Sequence, residues 1–268
     1  MEPSAADPFP RGSLWEARRR LHALFLSPSR IDIAFQPILD LNTERTVGVE
    51  ALARFASGAV PVPSWLQGAQ VAGIGVEVEV QLARVALAKL PEIPPTLFLS
   101  VNVSPQALVS AAFSSCIAEH DITRVVFEIT EHTPFPDPRP LAIQMAKVRE
   151  RGGRIALDDV GSGYTSIRHV LELAPEFIKL DRTMIVTAEH ETHHRAMIRG
   201  LTCFAEEAGS SIVAEGIETR QQLDMLRGLG VGLGQGFLWG RPGPLSKERT
   251  GEKRRGPAAA AHQSLSVL

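Results

Sequence analysis

The chain has 268 residues, 44% of them hydrophobic, and a formal net charge of -2. That is enough apolar material for one large core and excludes a collagen, a coiled coil or a disordered chain. A charge this near neutral leaves no electrostatic footprint for duplex nucleic acid or an anionic membrane. Cys116 and Cys203 lie in apolar helical contexts without metal-ligand spacing. Both are expected as buried, reduced thiols rather than a disulfide framework.

Residues 1–12 are small, polar and proline-rich, and so is the stretch 246–268; both are expected as tails around one domain spanning 13–245. Arg18-Arg19-Arg20 followed by an apolar run from Leu21 to Leu26 resembles the start of a signal peptide, but the run stops at Ser27-Pro28. No stretch approaches the roughly 20 apolar residues of a membrane helix. A cytoplasmic protein is therefore expected, as one barrel without a sensor domain.

Between the tails, apolar runs predict strands at 32–38, 46–52, 97–103, 124–130, 154–160, 177–181, 211–217 and 234–239. Their continuous apolar character fits parallel strands covered on both faces. Longer helical patterns intervene, as at 78–89 and 194–208. Eight such strands predict an α/β fold, a TIM-like (β/α)8 barrel. The first connection, residues 39–45 with a turn-like Asp40-Leu41-Asn42-Thr43, is too short for a parallel crossover. The first strand is therefore expected to run antiparallel to the second.

A polar residue interrupts each parallel strand near its carboxyl end: Glu50, Asn102, Glu128, the pair Asp158-Asp159, Lys179, Glu215 and Gln235. In a closed barrel these ends open on one face, where active sites are built. Any one of them could be an isolated, satisfied polar group, but buried carboxylates without partners are rarely tolerated. Together they form a hard-oxygen set suited to Mg²⁺ or Mn²⁺. Adjacent Asp158 and Asp159 could serve two ions, an arrangement that phosphodiester hydrolysis uses. Lys179 is a cation able to orient water or offset phosphate charge.

Phe35-Gln36-Pro37-Ile38, Glu50-Ala51-Leu52-Ala53-Arg54, Asn102-Val103-Ser104, Glu128-Ile129-Thr130-Glu131, Asp158-Asp159-Val160-Gly161-Ser162-Gly163-Tyr164, Lys179-Leu180-Asp181, Ala214-Glu215-Gly216-Ile217-Glu218 and Gly234-Gln235-Gly236-Phe237 resemble, in order, the motifs of the EAL domain. That family comprises bacterial cyclic di-GMP phosphodiesterases, and the resemblance covers about residues 16–244. It implies a (β/α)8 barrel with an antiparallel first strand and hydrolysis of cyclic di-GMP to linear 5′-pGpG with two Mg²⁺ or Mn²⁺ ions. By motif position, Glu50, Asn102, Glu128 and Asp158 would hold one metal, and Asp158 with Asp159 the second. Lys179 and Glu215 match the residues tied to the nucleophilic water. Gln235 matches a further polar member of the site, and Gln36 and Arg54 match substrate contacts. Glu131 and Glu218 match positions that steady the loops and ligands. The resemblance also raises a homodimer.

The family commonly has Phe at the position of Val160, Thr at Ser162 and Ser at Thr165, and a longer stretch after Arg54; none of these departures removes a ligand. Two other readings compete with an active phosphodiesterase. One is a catalytically inactive EAL-like receptor of cyclic di-GMP or protein-interaction module. The other is an unrelated barrel enzyme using Lys179 as a base beside a metal. His190-Glu191-Thr192-His193-His194 fits the zinc-protease spacing but is read as a solvated helix start. Gly161-Ser162-Gly163 is read as a turn rather than a phosphate cradle, because Ser166 stands where a dinucleotide fingerprint needs glycine.

Overall fold

A computed structural model describes residues 31–55, 62–129, 138–161 and 167–245. Both expected tails, the Arg18–Leu26 segment, Glu131, Ser162, Tyr164 and Thr165 lie outside the described residues. Eight strands close in sequence order into a barrel: β1 (Ile31–Asp40), β2 (Thr46–Phe55), β3 (Phe98–Val103), β4 (Val125–Ile129), β5 (Arg154–Val160), β6 (Phe177–Leu180), β7 (Ser211–Ala214) and β8 (Leu233–Gly234). β1 runs antiparallel to both neighbours, β2 and β8, while β2 through β8 pair in parallel.

The antiparallel start follows from the turn joining β1 to β2. The Asp40 carboxylate accepts from the Thr43 backbone N–H at 2.7 Å and from its hydroxyl at 2.9 Å, which closes the turn locally. A chain that reverses this tightly can only return beside itself. The other connections carry α1 (Val62–Val71), α2 (Gly75–Leu87), α3 (Pro105–Leu108), α4 (Ala111–Ala118), α5 (Pro138–Glu150), α6 (Ile167–Leu173), α7 (Arg182–Ala188), α8 (Thr192–Ala208) and α9 (Arg220–Gly228). Several start on a side-chain cap: Ser110 accepts from the Phe113 N–H, Asp181 from the Thr183 N–H, and Thr219 exchanges bonds with Gln222 in a capping box.

Side-chain alternation divides the strands between two cores. Leu99, Val101, Val125, Phe127, Ile155, Leu157, Ile178, Leu180 and Ile212 face outward and pack with the helices. Their neighbours Phe98, Val126, Ala156, Phe177 and Val213 form a second cluster with Ile38. These are the inward positions, and the same parity continues toward the carboxyl ends through Ser100 and Asn102, Glu128, Asp158 and Lys179. The barrel is thus apolar below and polar above. At the lower end the Arg154 guanidinium lies 5.1 and 5.3 Å from the ring centres of Phe98 and Phe177, so the charge is covered by aromatic faces. Burial holds its pKa below the usual arginine range.

Three expectations need correction. The strand expected at 234–239 is only Leu233–Gly234, and Phe237–Trp239 form a 3₁₀ turn. The strand expected to reach 217 ends at Ala214. Cys203 is exposed on α8 while Cys116 is buried, because Cys203 lies off the stripe formed by Ile198, Leu201, Thr202 and Ala205. Fully buried Phe127 meets fully buried Phe113 of α4 edge-on at 5.1 Å between ring centres. Phe127→Ala should therefore cost about 3–5 kcal/mol in urea denaturation; a loss below about 1 kcal/mol would show that this contact does not secure the barrel wall to α4.

Candidate functional site

Lys179, near the end of β6, points into the upper half of the barrel and is almost wholly buried. Its Nζ lies 2.7 Å from Glu215 Oε1, 2.8 Å from Glu128 Oε2 and 3.1 Å from Asp158 Oδ1. Glu128 also accepts from the Ser100 hydroxyl at 2.5 Å. On the other side of the ring, Asn102 Nδ2 donates to Glu50 Oε1 at 2.8 Å. Gln235 Nε2 donates to Glu50 Oε2 at 2.8 Å and to Glu215 Oε1 at 2.9 Å. One hydrogen-bonded circuit therefore joins residues of β2, β3, β4, β5 and β6 to the two positions just beyond β7 and β8.

Carboxylates crowd this mouth. Glu50, Glu128, Asp158, Asp159 and Glu215 contribute carboxylates, and Lys179 is the ammonium in contact with three of them. Burial pushes Glu128 well above the usual carboxylate range, with Lys179 opposing and Glu50 and Asp158 adding to the rise. Burial also raises Glu215, to about 8, against the pull of Lys179. Burial acts to lower Lys179, yet Asp158, Glu128, Glu215 and Glu50 together hold it well above the usual lysine range. The ammonium is a fixed cation.

Adjacent Asp158 and Asp159 should face opposite sides of an ideal strand. The register of β5 against β6 shifts between Leu157 and Val160, and Asp159 has φ 57°. This bulge turns a second consecutive side chain toward the mouth, and aspartate tolerates the left-handed conformation better than most residues. The result is a triad: one carboxylate oxygen each from Asp158, Asp159 and Glu215 all lie within 4.8 Å of one another.

This donor set suits divalent cations. It is all oxygen, it is rich in carboxyl groups, and an amide donating through nitrogen, as Asn102 does, keeps its oxygen free for a cation. The Gln235 Oε1 is buried without a hydrogen-bond partner among the described residues, a further acceptor waiting in the same place. Glu50, Asn102, Glu128, Asp158 and Asp159, the residues expected to hold metal, thus share one mouth with Lys179, Glu215 and Gln235.

The remaining expected residues divide. Gln36 is buried on β1, opposite Glu50 in register. Arg54 is not drawn into the circuit: it is exposed, and its guanidinium donates to the Ala53 carbonyl at 2.8 Å. Glu218 touches none of the ring carboxylates and instead pairs with Arg182 at 3.1 Å, because the chain turns outward after Gly216. Ser100 was not singled out from the sequence, although it stands two residues before Asn102 on the inward face. Glu79 of α2, also not singled out, accepts from the Ser104 N–H at 2.8 Å and fixes the turn after β3. Beside it a cavity of about 420 Å³ opens, lined by Gln70, Glu77, Glu79, Ser104 and Gln106. The zinc-protease spacing fails structurally: α8 begins at Thr192, so His190 precedes it, and His194 faces Glu191 on the surface at 3.0 Å.

Fold and site together define an α/β barrel with a carboxylate and lysine centre at its carboxyl-terminal mouth. The chain belongs to the EAL domain family, which matches residues 18–242. It is 29% identical over 226 residues to cyclic di-GMP phosphodiesterase PdeL of Escherichia coli (strain K12), covering 79% of this chain and 62% of that one. It is 30% identical over 231 residues to cyclic di-GMP phosphodiesterase RocR of Pseudomonas aeruginosa, covering 82% and 59%. The chain thus spans less than two thirds of either relative. Klebsiella pneumoniae BlrP1, solved with calcium and cyclic di-GMP, superposes with a TM-score of 0.70 at 25% identity, covering 87% of this chain and 68% of that one.

The Glu215 carboxyl gives a pH prediction. Its folded pKa, about 8, stands above its ordinary 4.5, so between those values the folded protein binds more protons than the unfolded chain. Stability then falls as pH rises through that window. With metal chelated, urea midpoints should drop from pH 5 to pH 8, and Glu215→Gln should flatten the slope; an unchanged slope in that variant would assign the protons elsewhere.

Proposed function

We propose that this chain hydrolyses one phosphodiester of cyclic di-GMP to linear 5′-pGpG, using two divalent ions, Mg²⁺ or Mn²⁺, with residues 13–245 as the catalytic unit. The observation that carries the reading is the Asp158, Asp159 and Glu215 triad beside a lysine held by three carboxylates. Family membership and the names of two relatives point to the same substrate. The oxygen donor set and the bound calcium of BlrP1 support a divalent requirement.

Glu50, Asn102, Glu128 and Asp158 would hold one ion, and Asp158 with Asp159 the other. Such ions supply positive charge against the attacked phosphate and make a water acidic enough to attack it at neutral pH. Lys179 holds its position through Glu128, Asp158 and Glu215 and presents a fixed positive charge where phosphate charge builds. Glu215, which touches both the Lys179 ammonium and the Gln235 amide beside the aspartate pair, is the carboxylate placed to receive the proton of the attacking water. Gln235 orients Glu50 and Glu215 and contributes a free acceptor. Gln36 lies inside the mouth, while Arg54 lies exposed at its rim and suits the other phosphate as a bidentate donor. Among the described residues no helix is long and apolar enough to cross a membrane.

The test is a Mn²⁺ turnover assay with product identification, run across protein concentrations to expose dependence on a homodimer. Formation of pGpG is expected, whereas nucleotide binding without product would mean a receptor. Glu50→Ala should abolish hydrolysis. Lys179→Ala should lower kcat by at least about 10²-fold while nucleotide affinity changes far less; an equal loss in both would make the lysine a binding group only.

A further inference from the structure

The start of α7 touches the loops on both flanks of the carboxylate triad. This helix follows Lys179 at once: β6 ends at Leu180, Asp181 caps the helix through the Thr183 N–H, and Asp181 donates its own N–H to the Val160 carbonyl at 3.3 Å. From its first turn, Met184 reaches toward β5. A Cβ built at Gly161 would fall 2.2 Å from the Met184 Cε, and Gly161 has φ 102°. Arg182 reaches the other way. A Cβ at Gly216 would fall 2.4–2.7 Å from the Arg182 Cγ, Cδ and Cβ, and Gly216 has φ 66°.

Gly161 lies two residues past Asp159, and Gly216 follows Glu215 directly. Each glycine therefore lets its loop lie flat against a side chain of the same helix, immediately beyond a triad carboxylate. Met184 is buried in the helix-facing core, so its methyl is held by packing. Arg182 is exposed at its tip, where it pairs with Glu218, but its stem covers Gly216.

We infer that Met184 and Arg182 are positioning residues: the first turn of α7 is a common abutment that sets how far Asp159 and Glu215 stand apart, and hence how tightly the mouth holds divalent cations. The inference rests on the metal-dependent reading of the site. Asp159 and Glu215 stand on chain segments that leave their strands on either side of β6, and a displacement of either segment would change their separation. The charge of Arg182 is not what matters; the bulk of its stem is.

The test is Mn²⁺ binding by isothermal titration calorimetry without nucleotide, well below the unfolding transition, with Tm and circular dichroism as controls. Met184→Ala should weaken Mn²⁺ binding by about tenfold or more, the range seen when supporting residues of metal ligands are lost. Met184→Leu, which conserves volume, should stay near wild type. Folded Met184→Ala with wild-type affinity would overturn the inference, since a merely structural role lowers Tm alone. Should Met184→Ala fail to fold, the exposed position decides: Arg182→Ala weakens binding while Arg182→Met, keeping the stem, does not. Equal affinity in both Arg182 variants, whether unchanged or reduced together, would then overturn it. If the wild type itself binds no Mn²⁺, the metal reading fails first, and that outcome is distinct from the others.

Discussion

A buried lysine held against three carboxylates is the constraint around which the upper barrel is organised. Taking even one charge out of water costs several kcal/mol, and a pair recovers that cost only with good geometry and further hydrogen bonds. Lys179 meets this condition through Glu128, Asp158 and Glu215. Ser100, Asn102 and Gln235 then serve carboxylate oxygens that the lysine does not reach alone. Five carboxylates nevertheless gather at this mouth, and burial holds Glu128 and Glu215 toward their protonated forms. Carboxyl groups gathered in a desolvated place carry a cost, and a divalent cation is a ligand that would relieve it.

The lower barrel offsets that liability. Phe98 and Phe177 lie 5.5 Å apart between ring centres and together cover the Arg154 guanidinium, while Ile38, Val126, Ala156 and Val213 fill the space beside them. Outside the wall, the helix-facing core is continuous from β1 to α9. Stability is thus concentrated below and around the site rather than in it, a division barrel enzymes commonly show. The same strands supply both functions, because residues two apart on one face pass from apolar to ionisable within a single strand: Val126 to Glu128, Ala156 to Asp158, Phe177 to Lys179.

This arrangement explains what the sequence disclosed. Strands covered on both faces read as apolar runs, so the eight segments and the antiparallel start stood out, and so did the polar interruptions at their ends. Ser100 escaped notice because a serine inside an apolar run looks like a tolerated substitution; only its inward parity with Asn102 marks it. Glu218 was placed near the chemistry by motif alone and pairs with Arg182 rather than with the ring carboxylates, while Arg54, exposed on β2, bonds the Ala53 carbonyl. The last strand was over-read because aromatic residues favour strands, whereas Phe237, Leu238 and Trp239 turn in a 3₁₀ segment pinned by the Leu238 N–H to the Ile217 carbonyl. Tertiary contacts decided there, not propensity.

The adjacent aspartates show how much can hang on one irregularity. In a regular β5, Asp159 would point into the helix layer among Ile129, Leu157 and Leu180, where a carboxylate has no place. The bulge returns it to the mouth, and the next residue resumes the outward direction: Val160 is buried against the helices and pairs with Leu180. Val160, where the family commonly carries Phe, therefore belongs to the packing behind the bulge and not to the carboxylates themselves. A smaller side chain there leaves Asp158 and Asp159 their geometry only if something else braces the chain as it leaves β5. Met184, lying directly against Gly161, occupies that place. The aspartate pair, the bulge and the helix after Lys179 then form one mechanical unit, in which a methionine packed against Gly161 braces the chain just beyond two neighbouring carboxylates.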